Sequence, residues 1–449
     1  MHLFAQRALL EGQWARNVRI EISNGKIAAI APGVRALPGD DTHAVLIAGM
    51  PNLHSHAFQR AMAGLAEVRG PSADSFWIWR KVMYQVALAM TADQMEAVAA
   101  QLYMEMLEAG FTRVGEFHYL HHDRDGAPYG DIGEHAARIA AASVSAGINL
   151  TLLPVFYAHS GFGGAAPIEG QRRFINSLDG FAALMDSSSR IVDQLQGGRL
   201  GLALHSLRAV APDEVQALLA TFGQGPVHIH VAEQLKEVDD CIAWSGVRPV
   251  EWLLANSPVD DRWCLIHATH MTDDETACLA ARGAIAGLCP ITEANLGDGV
   301  FPASSFLEAG GRFGIGSDSN ISISVAHELR QLEYSQRLVR RARNVIADAG
   351  QSTGRKLFDR ALSGGAAALG AKGGLNVGAD ADLVSLNVDA VFAKNDDQVL
   401  DHWIFADGVT VDCVWAGGAK RVAGGRHVER AHIQARFRAT MRDLIDSWI

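Results

Sequence analysis

Between about residues 48 and 365 the chain repeats one alternation eight times: a short apolar run, then a stretch with helical spacing. The runs are "VLIAGMPNLHSH", "TRVGEFHY", "NLTLLPVFY", "RLGLALHSL", "GPVHIHVAE", "RWCLIHATH", "GAIAGLCP" and "RFGIGSDSN". Short, nearly continuous apolar runs are the pattern of parallel strands covered on both faces. The segments between them, such as "TADQMEAVAAQLYMEMLEAG" and "APDEVQALLATFG", place apolar residues at helical intervals. Parallel strands need long crossovers, and a helix is the usual one. Eight βα units at this length predict an α/β fold of the (β/α)8 barrel type; a doubly wound open sheet is the alternative.

Both chain ends have a different texture. "NVRIEISNGKIAAI" is two alternating runs around Asn24-Gly25, a hairpin signal. "GADADLVSLNVDAVF" and "VTVDCVWAGGAKRVAGGRHV" are short strands broken by glycines. The expected organisation is therefore a small β-sandwich built from residues 1–47 and 369–430, a barrel over 48–368, and a closing amphipathic helix over 431–449. With 449 residues, 49% of them hydrophobic and 20% charged, the chain can build such a core easily. Its net charge of −11 argues against a nucleic-acid partner. The basic stretch from Arg337 to Arg343 reads as a solvated helix face. No segment offers roughly 18 uninterrupted apolar residues, so no membrane span is expected. The start, "MHLFAQRALLEGQWARN", lacks the basic-then-apolar pattern of a secretory leader. The five scattered cysteines form no Cys-x-x-Cys pair and read as reduced thiols, which predicts a cytoplasmic setting.

In a barrel of this kind, reactive groups sit at the C-terminal ends of strands. The first predicted strand ends in His54-Ser55-His56, with both histidines on one side of the strand. Two imidazoles so placed can hold a metal ion, or can simply be polar residues leaving the core. The fifth strand carries His228 and His230, with Glu233 just beyond; the sixth ends with His267 and His270; the eighth ends with Asp318. So many ionisable groups at matching ends are hard to explain by packing alone. His230 and Glu233 can face the mouth, whereas His228 lies deeper and reads as a buried, hydrogen-bonded residue. His270 reads as a capping or supporting residue. Asp318 in "GIGSDSN" is either a site residue or a helix N-cap.

Taken together, His54-x-His56, His230-x-x-Glu233, His267, "LCPITEANLGDG" and "GSDSN" resemble the amidohydrolase superfamily, and "ADLVSL" and the flanking β-domain fit it too. The resemblance covers essentially the whole chain. Within the superfamily, "PNLHSHAFQRAMAG" with "FWIWR", "GEFHYLHH" and "LHSLRAV" is similar to the formimidoylglutamate deiminases of histidine breakdown. The resemblance implies one divalent metal held by His54, His56, His230 and Asp318. Binuclear members use a carboxylated lysine at strand four, and "RLGLALHSLRAV" has none. Three nitrogens and a carboxylate suit Zn²⁺, with Fe²⁺ or Mn²⁺ also acceptable to the same donors.

The implied reaction is attack of water on the formimidoyl carbon of N-formimidoyl-L-glutamate, giving N-formyl-L-glutamate and ammonia. Asp318 would accept the proton of water, Glu233 would pass one to the substrate nitrogen, and His267 would stabilise developing charge. The resemblance assigns substrate binding to Gln59, Arg80, Tyr119, His205 and Arg208. The strand pattern independently supports Tyr119, His205 and Arg208, which fall at predicted strand ends. A substrate with two carboxylates wants arginine forks. The loop "HSGFGGAAPIEGQ" after the third strand is expected near the site. A homodimer is implied by resemblance alone. Two other readings are an aminohydrolase for a nucleobase or nucleoside derivative, and a catalytically inactive scaffold. The first would want stacking and amide partners in place of two arginines, and the second would be expected to have lost metal ligands.

Overall fold

The computed structural model describes residues 1–69, 75–389, 396–406 and 408–448. The N-terminal strands are β1 (His2–Leu10), β2 (Gln13–Ser23), β3 (Lys26–Ala31) and β4 (Asp41–Ala48). Asn24 and Gly25 both adopt positive φ, 50° and 75°, so the predicted β2–β3 hairpin turns there. The barrel strands are β5 (Met50–Ser55), β6 (Phe111–His118), β7 (Asn149–Phe156), β8 (Arg199–Leu200), β9 (Leu202–Ser206), β10 (Val227–Val231), β11 (Trp263–His267), β12 (Ile285–Leu288) and β13 (Arg312–Ile315). The C-terminal strands are β14 (Leu383–Val388), β15 (Val409–Ala416), β16 (Ala419–Ala423) and β17 (Arg426–His427). Residues 390–392 of the expected strand "GADADLVSLNVDAVF" lie outside the described residues.

The two chain ends join in one sheet, ordered β17-β16-β15-β14-β4-β1-β2-β3. Its central seam is the antiparallel pair β4–β14, with Ala48 opposite Leu383 and Val45 opposite Leu386. Leu3, Ile20, Ile27, Leu46, Leu383 and Trp415 are fully buried in a core centred on this sheet, which Leu375, and Leu362 of the helix Thr353–Ala368, help to close. The expected β-domain from both ends is thus present, hydrogen-bonded as a continuous eight-stranded sheet. The apolar run Ala44–Ala48 belongs to this sheet and not to the first barrel strand, which corrects the single run read as "VLIAGMPNLHSH". Gly49 makes the break: a Cβ there would lie 2.3 Å from the Thr112 side chain, so only glycine lets the chain cross between the two layers.

The second sheet runs β5-β6-β7-β9-β10-β11-β12-β13, parallel throughout, with β8 a short spur on β7. Strand four, read as one run, is split at Gly201 into β8 and β9. Closure between β13 and β5 is made just beyond the strands: Asp318 N donates to His54 O at 3.0 Å, and His56 N donates to Asp318 O at 3.1 Å. The candidate site residues are therefore also the seam of the barrel. Gly316 permits this approach, because a Cβ there would sit 2.7 Å from the His54 carbonyl oxygen.

Helices cover the outside as the sequence spacing predicts. Ala92–Glu108 opens with a capping box, Thr91 Oγ1 accepting from Gln94 N and Gln94 Oε1 accepting from Thr91 N. The closing helix Arg430–Trp448 packs on Ala92–Glu108, burying Ile433 and Leu444. The five cysteines are free. Among the described residues no helix is long and apolar enough to cross a membrane.

Candidate active site

His54 is the penultimate residue of β5, His56 follows its end, His230 is on β10, and Asp318 follows β13. Nε2 of His54 lies 3.0 Å from Nε2 of His230 and 3.4 Å from Oδ1 of Asp318, and Nε2 of His56 lies 3.2 Å from that same oxygen. One ligand atom from each of the four residues falls within 4.8 Å of the others. Nδ1 of His56 faces the Phe117 carbonyl at 3.0 Å, and Nδ1 of His230 faces the His205 carbonyl at 2.9 Å. A carbonyl only accepts, so each Nδ1 carries the hydrogen and each Nε2 turns its lone pair into the cluster. Burial pushes His54 down to about 3 and His230 well below the ordinary histidine value, so both rings are neutral. Burial works against the charge on Asp318, but the imidazoles of His54 and His56 packed against it hold its carboxyl well below the usual range. Neutral imidazoles and an ionised carboxylate converging on one point are the donor set that a divalent metal requires.

Backbone strain marks the same places. His267, Ala268, Asp318 and Asn320 have φ of 66°, 47°, 44° and 58°, in the left-handed region. Such residues cost of order 1–3 kcal/mol each and persist where their surroundings over-determine them. Here the surroundings are a buried polar net. Asn320 Nδ2 donates to the carbonyls of His56 (3.0 Å) and Asp318 (2.9 Å), and Asn52 Oδ1 accepts from Ser317 N at 3.1 Å. Asp318 caps no helix; the next helix, Val325–Arg340, is capped by Ser324. Below His56, Glu116 accepts from Ala57 N at 2.6 Å and from the Tyr103 hydroxyl at 3.1 Å, fixing the turn that follows His56.

Glu233 and His267 complete the floor. His267 Nε2 lies 3.7 Å from Glu233 Oε1 and 3.7 Å from Asp318 Oδ2. Burial raises Glu233 to about 7, with His267 opposing the rise and Asp318 adding to it. Burial opposes charge on His267 too, yet Glu233, Glu293 and Asp318 outweigh it and lift the ring to about 10. His228 lies deeper on β10, fully buried, with Nε2 on the Ala368 carbonyl at 2.8 Å, outside the cluster as its position suggested. His270 also stands apart: its N–H donates to the Ala232 carbonyl at 3.0 Å, pinning the turn after β11 to the end of β10.

Above the floor is a pocket with about 530 Å³ of open space, lined by His56, Gln59, Arg80, Tyr119, His205, Arg208, His230, Glu233, His267 and Asp318. All five residues expected to bind substrate therefore face the same cavity as the metal cluster. Gln59 Nε2 donates to the Tyr119 hydroxyl at 2.9 Å. Arg208 is 9% exposed, and no carboxylate among the described residues pairs with it; its buried Nε has no partner. The Arg80 guanidinium stands over the rings of Trp77 (5.1 Å) and Tyr84 (5.2 Å), again with no ion pair among the described residues. Phe162, in the loop after β7, borders an adjoining depression that shares Arg80 and Arg208.

The description "Amidohydrolase family" matches residues 45–420, which is most of the chain and includes every residue of the cluster. The chain belongs to the amidohydrolase family. A second description, "Formimidoylglutamate deiminase HutF, N-terminal domain", matches residues 1–44. A formimidoylglutamate deiminase of Pseudomonas aeruginosa is 51% identical over 99% of both chains. The crystal structure of an amidohydrolase from Brucella melitensis superposes with a TM-score of 0.97 at 59% identity, covering 99% of each chain. A 5-methylthioadenosine/S-adenosylhomocysteine deaminase of Natronomonas pharaonis is 26% identical over 87% of this chain and 84% of its own.

Amidohydrolases are metal-dependent, and the His–His–His–Asp set of this member fits such an ion. Two parts of this amidohydrolase's site escaped the sequence reading. One is Glu293, whose Oε1 is 3.3 Å from His267 Nδ1. The other is the aromatic wall of Tyr84, Tyr157 and Phe174 around the arginines. Glu293 was visible in "LCPITEANLGDG", but a carboxylate in the first turn of a helix has an ordinary dipole explanation. Nothing local distinguishes it.

Proposed function

We propose that this amidohydrolase hydrolyses N-formimidoyl-L-glutamate to N-formyl-L-glutamate and ammonia, a step of histidine degradation. The observation that carries the reading is the pairing, in one cavity, of a three-nitrogen, one-carboxylate cluster with two arginines that form no ion pair among the described residues. The full-length similarity to a formimidoylglutamate deiminase supports it. His54, His56, His230 and Asp318 would hold one divalent metal, with Zn²⁺ first and Fe²⁺ or Mn²⁺ compatible with the donors. When bound, the metal is a Lewis acid that supplies an activated water. Asp318 accepts the proton that the attacking water gives up. Glu233, protonated near neutral pH by its burial, donates to the departing nitrogen. His267 Nε2 faces the space between Glu233 and Asp318 and stabilises the charge that develops there. Arg208 and Arg80 hold the substrate carboxylates, while Gln59, Tyr119 and His205 bind beside them and orient the formimidoyl carbon.

A homodimer in the cytoplasm, with one metal per chain, belongs to the same proposal. Ammonia release is to be measured on formimidoylglutamate beside guanine, adenosine, S-adenosylhomocysteine and cytosine, with metal content determined on the same sample. Turnover confined to formimidoylglutamate is expected. Turnover of a purine or pyrimidine substrate alone would overturn the reading, and no turnover of any of them would favour a scaffold.

A further inference from the structure

The buried contact between His267 and Glu293 has no part in the proton transfers proposed for Asp318 and Glu233. Glu293 lies in the short helix Pro290–Leu296, directly after β12, and is 5% exposed; His267 is 1% exposed. Glu293 Oε1 accepts the Cys289 N–H at 2.9 Å. An amide N–H can only donate, so this oxygen is an acceptor, and His267 Nδ1, 3.3 Å from the same atom, must present its hydrogen to it. The other ring nitrogen is the only one left for the cavity, where it stands 3.7 Å from both Glu233 and Asp318.

The carboxylate is itself held. Its helix is tied down by Ile291 N donating to Glu328 Oε2 at 3.0 Å and by a 2.9 Å contact between the hydroxyls of Thr292 and Ser319, next to Asp318. Glu293 thus stands still while the left-handed backbone of His267 aims the ring at it.

We propose that Glu293 is a positioning residue for His267: it keeps the hydrogen on Nδ1 and blocks rotation of the ring, so that Nε2 alone faces the charge that develops on the reacting atoms. This rests on the role given to His267 above. The relationship is that of the buried carboxylate to the histidine in a hydrolase triad, where the acid fixes tautomer and orientation without itself being protonated.

The test uses the metal-loaded enzyme. Glu293→Ala should lower kcat by roughly 10²-fold, the lower range for a mispositioned acid-base group, with KM and metal content little changed. Glu293→Gln should lose much less, about 5–10-fold, because the Cys289 N–H selects the amide oxygen and the Nδ1 hydrogen keeps an acceptor, losing only its charge. In a His267→Asn background, Glu293→Ala should cost almost nothing more; an equal loss in both backgrounds would make Glu293 a brace for the loop and overturn the proposal. Histidine ¹⁵N spectra, with His267 assigned by its absence from His267→Asn, should show a hydrogen fixed on Nδ1 in wild type and in Glu293→Gln but not in Glu293→Ala. A wild-type Nδ1 without hydrogen would also overturn it. The spectra need no substrate, so they decide the matter even if formimidoylglutamate proves not to be turned over.

Discussion

The floor and the wall of the pocket are built on opposite plans. On the floor three of the four cluster side chains are held by neighbours: His56 and His230 are oriented by carbonyls and Asp318 is flanked by two imidazoles, while Asn320 and Asn52 hold the strained backbone. On the wall, Arg208 and Arg80 approach aromatic rings and find no carboxylate among the described residues. On the proposed function, the part that would bind a permanent ion is complete and the part that would bind a transient one is left open. A buried guanidinium with no carboxylate in contact is costly; Glu237 and Glu233 act on Arg208 only from a distance, which leaves its fork open to an arriving anion. Removing a floor residue should therefore disable chemistry, and removing a wall residue should alter selection among substrates.

The largest break is expected from His230→Ala. It removes a donor whose orientation is fixed, so metal content should fall from about one per chain towards zero and the rate should fall roughly 10³–10⁴-fold. Metal retention with full activity would refute the four-ligand floor. Glu233→Gln is next, with loss of roughly 10²–10⁴-fold and metal retained. Its pH signature follows from burial, which lifts Glu233 to about 7. A proton donor at this position would act only while protonated, so the donating fraction would be large below pH 7 and fall about tenfold per unit above it. An alkaline decline in kcat that begins near pH 7 should disappear in the variant. If the decline survives unchanged, the proton comes from another group.

The difference between floor and wall also explains what the sequence could and could not disclose. The eight runs and the helices between them were legible because periodicity is local, and the strand-end histidines because ionisable groups interrupt apolar runs. Ala44–Ala48 was misassigned because a strand of the chain-end sheet and a barrel strand are both buried, and only Gly49 separates them. Glu293, Glu116 and Asn52 were silent because their partners, His267, Ala57 and Ser317, lie far away in sequence or become partners only when the strand ends meet. A hydrogen bond that exists only after closure of the barrel leaves no pattern in the sequence.

On the wall, Arg208→Met should weaken kcat/KM by roughly 10–150-fold, the worth of a charge-assisted hydrogen bond of about 1.5–3 kcal/mol. The loss should shrink for an analogue lacking the carboxylate that Arg208 holds, and metal content should stay constant. An equal loss against substrate and analogue would make Arg208 a structural cation and would remove the contrast between floor and wall.

The smallest catalytic effect is expected two residues from the largest, and it tests whether the floor ends where the geometry says. His228 and His230 point the same way from β10, but His228 reaches the Ala368 carbonyl and not the cluster. His228→Leu should leave kcat, KM and metal content per folded molecule nearly unchanged. Stability should fall by about 1–3 kcal/mol, because the Ala368 carbonyl loses its donor in a buried place. The sign of the pH dependence can be worked out. Burial depresses His228 from its ordinary 6.5 to about 4, so the folded state prefers the neutral ring. That preference is fully present above pH 6.5, where the unfolded chain is neutral too, and is lost as pH falls through 6.5 towards 4, where the unfolded chain takes up the proton first. Leucine has no proton to take up. The stability gap between wild type and His228→Leu, measured by denaturant unfolding, should therefore narrow as the pH is lowered from 7 to 4. A gap that widens, or a variant that loses its metal, would show that His228 is coupled to the cluster after all and that the floor extends one layer deeper into the barrel.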